Sequence, residues 1–149
     1  MIRTTVGRPM EILLVEDSLE DARMTIQALK QEEVRCRVTL VCDGEEAMTF
    51  LRREGVFARA PRPDLILLDL DLPKKDGRQV LTEVRAAPLL EGIPVVVLTG
   101  SLVHRTILQA ESLRVDDFMT KPVSLEQFIR VIKSLRRLWL SELILPPLD

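Results

Sequence analysis

The sequence predicts a doubly wound α/β fold, a five-stranded parallel sheet with helices on both faces. Three observations predict it. Five short apolar runs are spaced along the 149 residues, amphipathic patterns of helical period separate them, and three of the runs are apolar at nearly every position. Strand–helix alternation repeated five times builds a parallel sheet. Strands covered on both faces lose the polar alternation of a half-exposed strand.

The first run, Glu11 to Val15, is followed by Leu19, Ala22, Ile26 and Leu29, whose three- and four-residue spacing marks one helix face. The second run, Cys36 to Val41, alternates more and is expected nearer an edge of the sheet. A second helix opens at Asp43-Gly44-Glu45-Glu46 and continues through Ala47, Phe50 and Leu51; the Arg- and Pro-rich stretch from Arg53 to Pro63 then connects to the third run, Leu65 to Leu68. Val80, Leu81 and Val84 mark a third helix that stops near Pro88, ahead of the fourth run, Val95 to Leu98. Ile107, Leu108 and Leu113 suggest a fourth helix before the last run, Asp117 to Met119. A fifth helical pattern begins at Ser124, with Gln127 three residues on in a capping-box arrangement, and runs through Phe128, Ile129 and Ile132 towards Trp139. The tail carries Pro146-Pro147, which cannot continue a helix. The expected organisation is an extension over 1–9, one domain over 10–139 and a tail over 140–149.

Composition narrows the function. Hydrophobic residues make up 46% and charged residues 30%, and the 21 Lys and Arg against 23 Asp and Glu leave a net charge of -2. That balance is globular and lacks the basic stripe of a free-standing nucleic-acid-binding domain, so no direct nucleic-acid contact is expected. No apolar run is long enough to span a bilayer, and the first residues lack the pattern of a signal peptide. A cytoplasmic protein without membrane contact is therefore expected. Cys36 and Cys42 form neither a disulfide framework nor a zinc spacing and read as small buried hydrophobes.

In open α/β sheets the site lies beyond the carboxyl ends of the strands. Here the first strand ends into Glu16-Asp17, the third into Asp69 with Asp71 two residues later, the fourth into Thr99 with Gly100-Ser101, and the fifth into Lys121-Pro122. Singly, each of these reads equally as a helix cap or a loop residue. Together they bring three or four carboxylates to one rim, where mutual repulsion raises their pKa values unless a cation offsets it. A hard divalent ion with oxygen ligands fits, and Mg²⁺ fits best. No Gly-rich phosphate loop follows a strand, so a nucleotide-binding reading has little support.

A carboxylate held at the end of a buried strand, as Asp69 is expected to be, is placed to act as a nucleophile towards a phosphoryl group. Such transfer needs in-line positioning and neutralisation of three equatorial oxygens. The cation, Lys121 and the Thr99 hydroxyl with nearby backbone N–H groups account for all three. No general base is left for rapid turnover, and the one histidine, His104, is expected on a helix surface. A long-lived phosphoprotein follows more naturally than a fast hydrolase.

As an ordered set, Glu16-Asp17, the run from Leu65 to Pro73 with Asp69 and Asp71, Asp76-Gly77, Thr99 and Lys121-Pro122 resembles the receiver domain of two-component response regulators, over about residues 10 to 139. The resemblance implies the flavodoxin-like fold and a phosphoryl group accepted on Asp69 from a phosphohistidine of a sensor histidine kinase. It implies that Asp17 binds Mg²⁺ directly, Glu16 through water and Asp71 through its backbone carbonyl. Thr99 and Lys121 would grip the phosphoryl oxygens, with the Lys121-Pro122 bond cis. It also makes Phe118 the switch aromatic, where the family more often has tyrosine. Lacking a hydroxyl, Phe118 is expected to favour its inward pose. The chain departs from the pattern at Arg114-Val115, where the family commonly has Gly-Ala, and from Leu102 to Thr106, which lacks acidic residues. The Val15-Glu16-Asp17-Ser18 opening, the loop from Leu72 to Arg78 and the Trp139-Leu140 tail are similar to single-domain regulators paired with bacterial phytochromes and hybrid kinases.

About ten residues follow the last helical pattern, fewer than an effector domain needs. The expected output is a protein contact or onward phosphotransfer. On that helix Leu125, Phe128, Ile129 and Ile132 form one stripe, and Val131, Leu135 and Leu138 widen it beyond what packing on one sheet requires. The widened stripe, with Trp139 and Leu143, is expected to meet a second copy or another protein; in the alternative, the tail folds back and covers it. Two other functions remain to be weighed. A haloacid-dehalogenase-type phosphatase shares the Asp69-Leu70-Asp71 pattern, but there it lies on the first strand, not the third. A binding module that is never phosphorylated would have no use for the full acidic, hydroxyl and lysine set.

Overall fold

In strand β3, Leu65–Asp69, every residue is buried, and successive side chains point to opposite faces. Leu65 and Leu67 enter one core cluster, Ile66 and Leu68 the other. Strands β1 (Met10–Val15) and β4 (Val95–Thr99) divide their side chains in the same way. The uniformly apolar runs are thus the centre of the sheet, with a core on each side. The structure, a computed structural model, describes residues 7–30, 34–70, 72, 76–99, 114–135, 138, 143 and 145.

The strands are all parallel, in the order β2-β1-β3-β4-β5, with β2 at Cys36–Val41 and β5 at Asp117–Thr120. The more polar second run is an edge strand, as its alternation predicts. The order reverses between β1 and β3, which places the crevice of a doubly wound sheet at their carboxyl ends.

Helices α2 (Gly44–Leu51) and α3 (Gly77–Ala86) cover one face through Ala47, Met48, Phe50, Leu51, Val80, Leu81 and Val84. Helices α1 (Leu19–Leu29) and α4 (Leu125–Ser134) cover the other through Ala22, Leu29, Phe128, Val131 and Ile132. The helical pattern at Ile107, Leu108 and Leu113, with His104, lies outside the described residues, so α4 is the fifth helical pattern of the sequence. Side chains cap each helix: Ser18, Asp43, Asp76 and Ser124 accept from the N–H three residues on, offsetting N–H groups that no helical carbonyl reaches.

Four expectations change. Leu19 is 65% exposed and leaves the buried face of α1 to Ala22, Thr25 and Leu29. Gln127 does not complete a capping box: Ser124 accepts from its N–H, but its side-chain amide reaches back to β5. The full box is on α3, between Asp76 and Gln79. Cys42 is exposed, and only Cys36 is partly buried, where burial pushes its thiol up to about 12.

The fourth change concerns the widened stripe. Val131, Leu135 and Leu138 are buried at 0%, 7% and 2% exposure within the chain's own core. Leu143 joins that cluster, Leu145 packs against it, and Leu143 bridges in parallel to Arg8 beside the start of β1. Among the described residues of the tail, Leu143 and Leu145 pack on this cluster, as in the alternative in which the tail folds back, and Val131, Leu135 and Leu138 are buried within the chain itself; Trp139 lies outside the described residues. No helix among the described residues is long and apolar enough to cross a membrane.

Candidate functional site

Register alone assembles the rim. Val15 pairs with Leu68, Asp69 with Leu98, and Thr99 with Thr120. Glu16, Asp69, Thr99 and Lys121 therefore arrive at neighbouring positions where the strands end. Each is held there by its backbone. The N–H of Glu16 donates to the Val41 carbonyl at 3.0 Å, continuing the β1–β2 ladder one residue, and that of Lys121 donates to the Thr99 carbonyl at 3.0 Å. The amide of Gln127 fixes the turn after β5: its Oε1 accepts from Thr120 N at 2.8 Å, and its Nε2 donates to the Thr120 and Pro122 carbonyls at 3.1 and 3.2 Å. The Lys121-Pro122 bond is cis, as expected.

Three carboxylates face one ammonium group. Lys121 Nζ lies 2.7 Å from Glu16 Oε1, 3.0 Å from Asp69 Oδ2 and 3.3 Å from Asp21 Oδ2. Glu16 is fully buried and Asp69 is 5% exposed. Burial disfavours the charged form of Glu16, a hydrogen bond with Asp69 adds to it, and Lys121 opposes; the outcome is a pKa of about 7. Lys121 is shifted the other way: burial alone would lower its pKa, but hydrogen bonds and charge from Glu16 and Asp69 more than offset this and raise it. Lys121 is a fixed cation at any physiological pH.

One lysine does not balance this acid. Carboxylate oxygens of Glu16, Asp17 and Asp69 lie within 4.8 Å of one another, and Asp17 is exposed at the mouth. Glu16 Oε1 is buried, with the Lys121 ammonium at 2.7 Å. A compact, all-oxygen, anionic donor set suits a hard divalent cation that keeps some of its water. The residues present fit Mg²⁺.

Of the residues singled out from sequence, the structure brings Glu16, Asp17, Asp69 and Lys121 together and places Thr99, 7% exposed, at the end of the adjoining strand β4. Asp71 lies outside the described residues. Phe118 sits on β5 opposite Val97, partly buried against the α2–α3 side of the core. Sequence reasoning missed Asp21 and Gln127. Asp21 had a signal only in its place, an acidic residue in the first turn of the helix that follows Glu16-Asp17. Gln127 had none, because its partners lie across a turn whose path the sequence does not specify.

Comparison with known proteins follows the same lines. Residues 12–133 match the response regulator receiver domain. Response regulator Rcp1 of Synechocystis sp. is 41% identical over 138 residues, covering 93% of this chain and 94% of Rcp1; the structure of its Mn²⁺-bound form superposes with a TM-score of 0.71. The phosphorylated cyanobacterial phytochrome response regulator RcpA is 46% identical, with a TM-score of 0.73, covering 94% of this chain and all (100%) of RcpA. The bacteriophytochrome response regulator AtBRR is 34% identical, with a TM-score of 0.81, covering 95% of this chain and 98% of AtBRR.

Proposed function

Since the chain belongs to the response regulator receiver domain family, we propose that it is a single-domain phosphoacceptor of a two-component relay, carrying the phosphoryl group on Asp69. The observation that carries this reading is the position of Asp69: it ends a fully buried strand, with Lys121 Nζ 3.0 Å away and two further carboxylates grouped beside it. A carboxylate oxygen of Asp69 attacks the phosphorus of a phosphohistidine, a P–O bond forms as the P–N bond breaks, and the imidazole nitrogen leaves with the electron pair. Lys121 turns from the carboxylates to one phosphoryl oxygen, and Thr99 takes another through its hydroxyl. Glu16, Asp17 and Asp69 would hold Mg²⁺, with Asp71 a further ligand by family resemblance; when bound, the ion would supply the positive charge that lets an anionic phosphoryl group approach an acidic pocket.

The donor is a sensor histidine kinase, and likeness to RcpA and AtBRR favours one of phytochrome type. The metal assignment is supported by the donor set here and by the Mn²⁺-bound form of Rcp1. Signalling then passes by protein contact or onward phosphotransfer, with Phe118 following the movement of Thr99. We read the protein as a stoichiometric acceptor with no turnover beyond slow loss of the phosphoryl group, since the buried rim carboxylates among the described residues, Glu16 and Asp69, are engaged with Lys121 and the cation site.

Intact-protein mass after incubation with acetyl phosphate tests the reading. One phosphoryl adduct is expected in the presence of Mg²⁺, none after chelation and none in Asp69→Asn. Absence of an adduct in the wild type with acetyl phosphate and with a panel of histidine kinases would leave a binding module, and multiple-turnover hydrolysis of a generic phosphate ester would point to a phosphatase.

A further inference from the structure

We infer that Asp21 is a restraining residue of the phosphoryl site: it holds Lys121 in the resting state and must release it before the lysine can grip a phosphoryl oxygen. The inference rests on the phosphoacceptor reading above and adds a residue to it. Among the described residues Lys121 has three acidic partners on three elements: Glu16 after β1, Asp69 at the end of β3 and Asp21 in the first turn of α1. The first two belong to the group whose oxygens lie within 4.8 Å of one another, and Asp21 stands outside it. A cation bound to that group takes up the charge of Glu16 and Asp69 and frees the ammonium from them. It leaves the Asp21 contact in place. Of these three partners, Asp21 is thus the one that competes directly with an incoming phosphoryl oxygen for Lys121.

The geometry makes the competition weak enough to be reversible. The Asp21 contact, at 3.3 Å, is the longest of the three, and the Asp21 side chain is 44% exposed against 0% for Glu16 and 7% for Asp69. Such a half-solvated pair forms and breaks at small cost. Asp21 also adds a negative charge beside a pocket that must admit an anion, which acts in the same direction. Lys121 is therefore tethered on the solvent side and drawn inward only by a ligand that outbids one exposed carboxylate.

Beryllofluoride, which adds to a carboxylate as a phosphoryl mimic, provides the test. Calorimetric titration at saturating Mg²⁺ compares the wild type, Asp21→Asn and Glu20→Gln. The last removes an equal charge from the same turn, where Glu20 is exposed and has no side-chain role in the site. Asp21→Asn is expected to tighten beryllofluoride binding about two- to fivefold and to speed acetyl phosphate labelling by a similar factor. The gain should shrink between about 50 and about 500 mM KCl. Glu20→Gln should leave both unchanged. Equal effects of the two variants would reduce Asp21 to a helix-end charge, and unchanged or weaker binding in Asp21→Asn would make it a support for Lys121 instead; either overturns the inference. Failure of the wild type to bind beryllofluoride would overturn the phosphoacceptor reading first, and this inference with it.

Discussion

Gly77 lies directly against the backbone of Asp69: a Cβ built on Gly77 would come within 2.6 Å of the Asp69 carbonyl oxygen and of Leu70 Cα. The first turn of α3 is thereby clamped to the end of β3, and the Gly77 N–H donates to the Leu70 carbonyl at 3.1 Å. Only a residue without a side chain allows this approach. Gly77→Ala must push backbone from backbone, with no flexible side chain to yield. We expect it to cost about 1–3 kcal/mol in urea unfolding and to slow acetyl phosphate labelling of Asp69 more than its stability loss explains. Full labelling speed in a destabilised variant would show that the clamp serves stability alone.

The pKa of Glu16, raised by burial to about 7, makes cation binding depend on pH. The carboxyl must lose its proton before the buried oxygen can serve a cation or its water. At about pH 8 that proton is mostly gone already; at about pH 6 binding must expel it. Mg²⁺ affinity, measured calorimetrically, is expected to fall roughly tenfold from pH 8 to pH 6. Glu16→Gln should bind more weakly but flatten the profile. A wild-type profile that is flat above pH 6 would mean that Glu16 is ionised throughout.

Arg85 ties together the loops at the other end of the sheet. Its Nη2 meets Asp116 Oδ2 at 2.7 Å, its Nε donates to the Arg114 carbonyl at 3.0 Å, and its Nη1 donates to the carbonyls of Glu91 and Ile93 at 3.0 and 3.1 Å. Asp116 Oδ2 in turn accepts from Val95 N at 2.7 Å, at the start of β4. The Arg85 side chain is 13% exposed, so truncation strands carbonyls and a carboxylate together. Arg85→Ala is expected to cost about 2–4 kcal/mol. Arg85→Lys should recover little, because one ammonium cannot span the directions a guanidinium does. Chemical denaturation checks both, and full recovery by lysine would reduce the network to the single ion pair.

Much of this was legible in the sequence, and the limits were physical. A centre strand such as Leu65–Asp69 announces itself because both faces must be apolar, and a terminal carboxylate after it can only stand at the rim. Glu16, Asp69 and Lys121 followed from parallel topology, which sends every strand's carboxyl end to the same side. Contacts between helices and rim were not legible. Asp21 reaches Lys121 across 100 residues, and Gln127 turned from its own helix cap to the β5 backbone. A helix wheel shows how wide an apolar arc is but not what covers it, which is why the stripe through Val131, Leu135 and Leu138 leaves both an interface and a folded-back tail open in the sequence.

That covering has a measurable consequence. Leu138 is 2% exposed and lies in one cluster with Val131, Leu135 and Leu143, while Leu143 bridges to Arg8 ahead of β1. A side chain buried inside one chain stabilises that chain at any concentration, whereas one buried between copies does so only as the copies associate. Leu138→Ala is expected to cost about 2–5 kcal/mol, with the same loss at low and high protein concentration and no change in mass by light scattering. Leu143→Ala should weaken the same cluster from the tail side, by less, because more of it faces water. If instead the loss in Leu138→Ala grew with concentration and a dimer dissociated in parallel, the apolar arc would belong to an interface after all, and the tail would be a cover that the partner displaces.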